Sequence, residues 1–446
     1  MKCKIIYIGL LISLFTTSGC ESWVDGGPPK HGVKTEDIFK DVAGLNAAIA
    51  GMYTIATNSS IGMLSVNNGL LADDLVTNVA SYEPYETNSL VSNEWTVASV
   101  WTTMYAGIYR ANAIIKGVEE GDFEDEIKRR ALGEAHFMRS LWYFHMVNLF
   151  GDAPLITGLD LDKNKLAPRG SVASIYDLIV ADLKAAVELL PPNYSVGKIQ
   201  RVRANKWAAT ALLARVYLYL GKYSEAESLA SDVIEQNGVY KLSSNLNSVF
   251  THGSDETIFA IDVSLSGATY VGSMTIPNPG TTPAIVIHPT LLSLFEAGDK
   301  RKIAWIGFSA GQDFLSKFKV RSGSGNEYDV VLRLPEQYLI RAEARAQLEN
   351  IQGAEDDINK VRQRANVSNV KLTDKNQALL AVEKERRMEY FGEWSHRWFD
   401  LKRTGKVNEV IGAIKPETWK STGIWYPIPS QERKLNVNLT QNDGYE

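Results

Sequence analysis

Cysteine is nearly absent from this chain of 446 residues: there are two, both within the first twenty positions. A disulfide-stapled scaffold is therefore excluded. Histidine is scarce too, and His31, His136, His145, His252, His288 and His396 are scattered. None forms HExxH or pairs with a cysteine at metal-ligand spacing, so no metal centre is expected. Positive charge is not in excess, with 47 Lys and Arg against 52 Asp and Glu and a formal net charge of −5. No basic cluster with interleaved aromatics exists, which argues against nucleic acid as a partner. No run after residue 20 approaches about 18 uninterrupted apolar residues, the length that spans a bilayer as a helix. There is no G-x-S-x-G elbow, no phosphate loop and no cofactor motif; SGSGN at 322–326 reads as a turn.

The two cysteines frame an informative N-terminus. Lys2 and Lys4 give a positive start, residues 5–15 are mostly apolar, and Thr17, Ser18 and Gly19 are small. That is the layout of a secretory signal peptide. Because the small residues lead to Cys20 rather than to an A-x-A site, the pattern resembles a bacterial lipoprotein box, with Thr17 in place of the usual Leu. Cleavage before Cys20 would remove Cys3 and leave one thiol, and acylation accounts for that thiol by giving two or more lipid chains, the condition for stable membrane attachment. The alternative is an ordinary cleaved signal with an incidental thiol. Residues 20–33, with Gly26, Gly27, Pro28 and Pro29, then read as a lipidated tether.

What the chain has is helical periodicity and aromatic side chains. Apolar stripes at three- and four-residue spacing predict helices over 41–53, 99–118, 127–149, 174–190, 204–220 and 224–236. Gly151 and Pro154 stop the third of these, and Pro191-Pro192 the fourth. Ala214, Tyr217, Gly221, Tyr223 and Ala226 fit the offsets of a TPR-like helix hairpin, and Ala342, Ala354 and Ile358 suit a weaker second copy over 341–361. An unrelated helical bundle is the alternative at this point. The helical signal lapses between 243 and 329, apart from an alternating strand at 257–263, and resumes over 334–348, 353–365 and 377–392. Loops that long inside a folded unit are usually functional.

Ten Trp, 19 Tyr and 14 Phe make the chain rich in aromatics, several of them in polar, loop-like sequence. Trp101, Trp142 and Trp207 lie on helical stripes and are expected in the core. Asp73-Asp74 would serve as half of a glycosidase carboxylate pair, or as caps or ligand acceptors. EKERRMEY at 383–390 and HRWFDLKR at 396–403 place Glu385, Arg386, Glu389, Arg397, Asp400 and Arg403 close enough for ion pairs between two neighbouring segments.

Eight segments in order carry a family resemblance. They are FGDAPLIT (150–157), SIYDLIVADLKAAVELLP (174–191), RANKWAATALLARVYLYLGKYSEA (203–226), GDKR (298–301), LRLPEQYLIRAEA (332–344), INKVRQRA (358–365), ERRMEYFGEWSHRWFDLKR (385–403) and PIPSQERKLNVNLTQNDGY (427–445). Together they resemble the SusD/RagB family of outer-membrane lipoproteins of Bacteroidetes, with Pro335, Val437 and Asp443 as small departures. The resemblance implies a mainly α fold with TPR-like pairs as scaffold, long irregular loops and a few short strands. It also implies a lipid-anchored protein facing outward from the outer membrane through acylated Cys20. Its partner would be a SusC-like TonB-dependent transporter, its ligand an oligosaccharide or a peptide, and it would break no bond.

Residue chemistry agrees with a sugar site, since aromatic faces meet sugar C–H groups while carboxylates and amides meet hydroxyls. The expected contacts are Asp73, Asp74, Asn78, Tyr82, Tyr85, Asn93 and Trp95, joined by Tyr270, Trp305 and Phe308 from the loop region. For Trp95 and Trp305, core packing is an equal alternative; Tyr82 and Tyr85 are expected to be exposed. The expected organisation is a signal peptide (1–19), the lipidated tether (20–33), a helical part with TPR-like pairs (34–253), a loop-rich insertion (254–330) and a C-terminal part (331–446), the last three forming one unit. A helical-repeat adaptor for proteins and a surface glycoside hydrolase are the competing readings.

Overall fold

The computed structural model describes residues 35–194, 200–264, 266–323 and 325–446. The segments expected to be a signal peptide and a lipidated tether, Cys20 included, lie outside them. After a single helical turn at Thr35–Ile38 come α1 (Val42–Ile55), capped by the Asp41 carboxylate, and α2 (Ser59–Leu71), capped by Asn58. Strand β1 (Leu75–Thr77) leads to the long antiparallel helices α3 (Trp95–Glu120) and α4 (Asp125–Phe150). Gly151, at φ 71°, ends α4, a conformation that favours glycine. Next come α5 (Val172–Leu189), α6 (Lys206–Tyr219) and α7 (Tyr223–Ile234).

Two helix hairpins fit the repeat offsets. Between α6 and α7 the chain turns at Gly221 (φ 68°), and Ala214 and Ala226 are fully buried where the helices cross. After the loop region, α8 (Leu334–Gln347) and α9 (Ile351–Arg364) form the second hairpin around Ala342, Ala354 and Ile358. Helix α7 packs on α8, so the two hairpins stack, and α10 (Lys375–Tyr390) adds a further layer. Pro335 does not interrupt α8; it lies in the first turn, where its missing N–H has no partner to lose. One apolar core runs from Leu45 to Leu439 and takes in Trp101 and Trp142, while Trp207 is half-buried at its edge. Each large apolar side chain buried there contributes roughly 1.5–3 kcal/mol.

The 254–330 region supplies paired strands rather than loop alone. Strand β2 (Thr257–Ile261) pairs antiparallel with β6 (Asp329–Arg333), and β3 (Ile285–Ile287) pairs with β1. The hairpin β4 (Ile306–Ser309) and β5 (Gln312–Leu315) stands beside them. Strand β2 falls within the expected strand at 257–263 and is buried on both faces.

A buried ionic assembly binds this region to α10. Arg301, fully buried, reaches Glu385 at 2.6 Å, Glu389 at 3.3 Å and Asp299 at 2.8 Å. Arg333 meets Glu256 at 3.1 Å, Glu393 at 2.9 Å and Glu389, which also receives Arg364. Burial alone would raise the Glu389 pKa; the Arg364, Arg333 and Arg301 guanidiniums override it and hold it at about 2. Removing one member of a buried ion pair strands its partners at a cost of about 3–5 kcal/mol. Glu389→Gln should therefore destabilise the protein by about that amount in urea unfolding at pH 7. Since the folded carboxyl titrates below the ordinary glutamate value of 4.5, its contribution is present above that value and lost as pH falls towards 2. A loss under about 1 kcal/mol would contradict this role.

Candidate functional site

The loop face is positioned by the two acids that follow α2. Asp73 and Asp74 are each 1% exposed. Arg397 grips Asp73 with two bonds of 2.7 and 3.0 Å, and Arg387 reaches Asp73 at 3.0 Å and Asp74 at 3.0 Å. Both arginines come from the ends of a turn between α10 and α11 (His396–Arg403), over 300 residues away in sequence. Arg387 also donates to the Thr290 hydroxyl at 2.9 Å, and the His288 N–H donates to the Asp74 carbonyl at 2.8 Å, so the chain after β3 joins the same anchor. Lys415 closes the end of α2, donating to the Leu70 and Leu71 carbonyls at 2.6 and 3.1 Å and to Asn88 at 2.8 Å.

Beyond the anchor, three irregular segments are laced together. The Asn78 amide donates to the Pro283 carbonyl and to Gln312, both at 2.8 Å. The Ser309 hydroxyl donates to the Thr281 carbonyl at 2.8 Å, and the Tyr82 and Tyr270 hydroxyls meet at 2.8 Å. Burial, then the neighbouring Tyr82, raises the Tyr270 pKa and keeps the phenol a neutral hydrogen-bonding group. Phe308 projects from the β4–β5 hairpin, 71% exposed. The face thus combines an exposed apolar ring, two half-buried phenols and two side-chain amides. Beside Tyr270 opens a cavity of about 330 Å³ lined also by Asn58, Ser273 and Arg321. No group of three or more potential metal ligands occurs among the described residues.

Of the expected contacts, Tyr82 and Tyr270 meet here and Asn78 is tied to the β4–β5 hairpin, from whose other face Phe308 projects. Asn93 and Trp95 are exposed at a second place, the start of α3, where the Ser430 N–H donates to the Ser92 carbonyl. Four expectations are corrected. Asp73 and Asp74 are not open acceptors for a ligand, nor half of a hydrolytic pair, because their carboxylates are spent on arginines inside the protein. Tyr85 is 1% exposed, its hydroxyl 2.6 Å from that of Thr96 and its ring against Tyr426. Trp305 is fully buried and donates its indole N–H to the Leu246 carbonyl at 3.0 Å. Gln312 was missed, although SAGQ between two short alternating runs is a hairpin signal.

The pKa values of the two acids are shifted in opposite directions. Burial pushes Asp73 up, but the bond from Arg397 and the charges of Arg387 and Arg397 win and lower it. For Asp74, burial, aided by the adjacent Asp73 charge, outweighs Arg387 and raises the pKa from 3.8 to about 6. Asp73→Asn should cost about 3–5 kcal/mol at pH 7 by breaking the buried pairs with Arg397 and Arg387, which keep only Glu383 and Asp74. Asp74→Asn keeps an oxygen for Arg387 and should cost less than about 1 kcal/mol. A carboxyl with a raised folded pKa favours the folded state most below the unfolded value and loses that advantage as pH rises to about 6. Urea titrations from pH 4 to 7 should thus show wild type losing stability relative to Asp74→Asn across that window. Equal costs for the two variants at pH 7 would overturn the assignment.

Comparison with known proteins adds an independent line. Residues 23–218 match the family described as starch-binding and associating with the outer membrane, and residues 308–445 match the SusD family. A SusD-like protein of Formosa agariphila is 25% identical over 99% of this chain and 98% of its own length. The starch-binding protein SusD of Bacteroides thetaiotaomicron is 26% identical over 93% of this chain and 90% of its own. Among solved structures, a SusD superfamily protein from Bacteroides vulgatus superposes with a TM-score of 0.81 over 91% of this chain and 100% of its own at 20% identity, a likeness of fold. A laminarin-binding SusD-like protein superposes with a TM-score of 0.78 over 91% of this chain and 100% of its own at 25% identity. With its stacked hairpins, its ordered motifs and matches to both ends of the family, this chain belongs to the SusD/RagB family.

Proposed function

We propose that the protein is a cell-surface, lipid-anchored binding protein that captures an oligosaccharide on its loop face and hands it to a SusC-like TonB-dependent transporter without breaking a bond. The observation that carries the reading is the joining of segments distant in sequence by polar side chains, Asn78 to Gln312 and Tyr82 to Tyr270, with the exposed Phe308 ring on the other face of the same β4–β5 hairpin. A ring face takes sugar C–H groups, and amides and phenols take hydroxyls at fixed angles. The relatives named as starch-binding and laminarin-binding support a glycan over a peptide. Trp95 and Asn93, exposed at the start of α3, form a secondary contact in this reading. Attachment through acylated Cys20 rests on the N-terminal sequence; among the described residues no helix is long and apolar enough to cross a membrane.

Calorimetry of residues 21–446 against α-glucans, laminarin-type β-glucans, other plant and fungal glycans and peptide mixtures tests this. A glycan should bind without release of reducing ends. Phe308→Ala and Tyr82→Ala should each weaken it at least about tenfold, about 1.4 kcal/mol, with unchanged melting temperature. Trp95→Ala should weaken it less, and Trp305→Ala should lower stability by about 3–5 kcal/mol instead. Tight glycan binding indifferent to both Phe308→Ala and Tyr82→Ala would refute the site, and turnover of the glycan would refute the function.

A further inference from the structure

The β4–β5 hairpin has two unlike faces. Its register sets Ser309 opposite Gln312 and Phe308 opposite Asp313, and residues paired in this way across antiparallel strands point to the same side, with Cβ atoms about 4.5–5.5 Å apart. The Ser309–Gln312 side is tied down: Ser309 donates to the Thr281 carbonyl, and Gln312 receives the Asn78 amide. The opposite side carries the Phe308 ring, 71% exposed, and the Asp313 carboxylate, half-buried and without a hydrogen bond or ion pair among the described residues. One ligand unit lying on the ring is within reach of that carboxylate.

Charge on this face is one-sided. The three laced segments, 75–90, 266–287 and 306–315, hold Glu83, Glu86 and Asp313 and no Lys, Arg or His. Glu86 accepts the Thr77 N–H at 2.9 Å, which leaves Glu83 and Asp313 open. Lys415 and Arg321 touch these segments from outside. Lys415 is turned to the Leu70 and Leu71 carbonyls and Asn88, and the Arg321 Nε donates to the Ile276 carbonyl at 3.1 Å, in a cavity it shares with the Asp329 carboxyl. Lys300 and Lys302 stand on the short helix before the hairpin. A sulfated or uronic glycan laid over Phe308 would give up water from its anions and meet a carboxylate of like sign. A neutral sugar asks instead for an apolar face and for acceptors of its hydroxyls, and an ionised carboxylate offers two oxygens to neighbouring hydroxyls at once.

We propose that Asp313 is a specificity-determining residue of the loop face: it accepts hydroxyls of the sugar unit that covers Phe308, and it restricts the site to uncharged glycans. This rests on the glycan reading above and narrows it. Calorimetry on residues 21–446 would compare the tightest binder among neutral oligosaccharides of the α- and β-glucan type with sulfated carrageenan oligomers, oligogalacturonates and, as a cationic probe, chitosan oligomers. The neutral ligand should bind at least about tenfold more tightly than any charged one. Asp313→Ala should weaken it at least about tenfold, the loss of a charge-assisted acceptor, with unchanged melting temperature because the carboxylate has no partner in the protein to strand. Asp313→Asn, which keeps one acceptor oxygen, should fall between. Neutral binding indifferent to Asp313→Ala, or a charged glycan held as tightly as the neutral one, would overturn this proposal and leave the protein a glycan binder. Binding of no glycan at all would overturn both.

Discussion

Everything on the loop face depends on a constraint met far from it, the pairing of buried arginines with the carboxylates of α10 and the turn that follows. Isolated charges in such a place would be prohibitively costly to strip of water. Here Glu389 faces three guanidiniums, Glu393 faces Arg333 and Lys317, and Asp73 faces Arg387 and Arg397. The return on that desolvation is specificity of position. A guanidinium held by two or three carboxylates at about 3 Å tolerates little displacement, so α10 fixes where β2, β6 and the chain after α2 must run. Leucines in those places would have supplied burial without register.

Much of the fold is legible in the sequence, and the exceptions share a cause. Helices with one buried face, such as α3, α5 and α7, announce themselves by periodicity, and their ends fall within a few residues of expectation. Helix α2 does not. SSIGMLSVNNGLL is buried on nearly every side, so it has no stripe, and its Ser65, Asn67 and Asn68 look like loop residues. Ser65 and Asn68 are instead matched to the α10–α11 turn and to Tyr426: Ser65 accepts the Trp394 N–H, and Asn68 donates to Ser395 and accepts from the Tyr426 hydroxyl. Their partners lie more than 320 residues away, and local pattern carries no trace of them.

For the residues of the proposed site, the sequence shows residue type and not exposure. Tyr82 and Tyr85 sit in the same polar stretch three residues apart, yet one is half-buried beside Tyr270 and the other is sealed under Tyr426. Trp305 and Phe308 are likewise neighbours with opposite fates, because the chain passes from a short helix into the β4–β5 hairpin between them. Asp73 and Asp74 illustrate the general difficulty. An acidic pair on a loop is read as available chemistry until its countercharges, here on α10 and α11, are known. The resulting molecule has two distinct faces, a laced polar and aromatic one built from irregular chain and a grooved one built from helix hairpins.

Hydrogen–deuterium exchange with and without a bound glycan tests the central claim most directly, because it reports where the ligand lies without any substitution. The account predicts slowed exchange concentrated in residues 78–86, 270–283 and 306–315, with the α6–α7 hairpin and α10 unchanged. Protection confined to 218–223 and 376–383, with the loop segments indifferent to a saturating glycan, would contradict it.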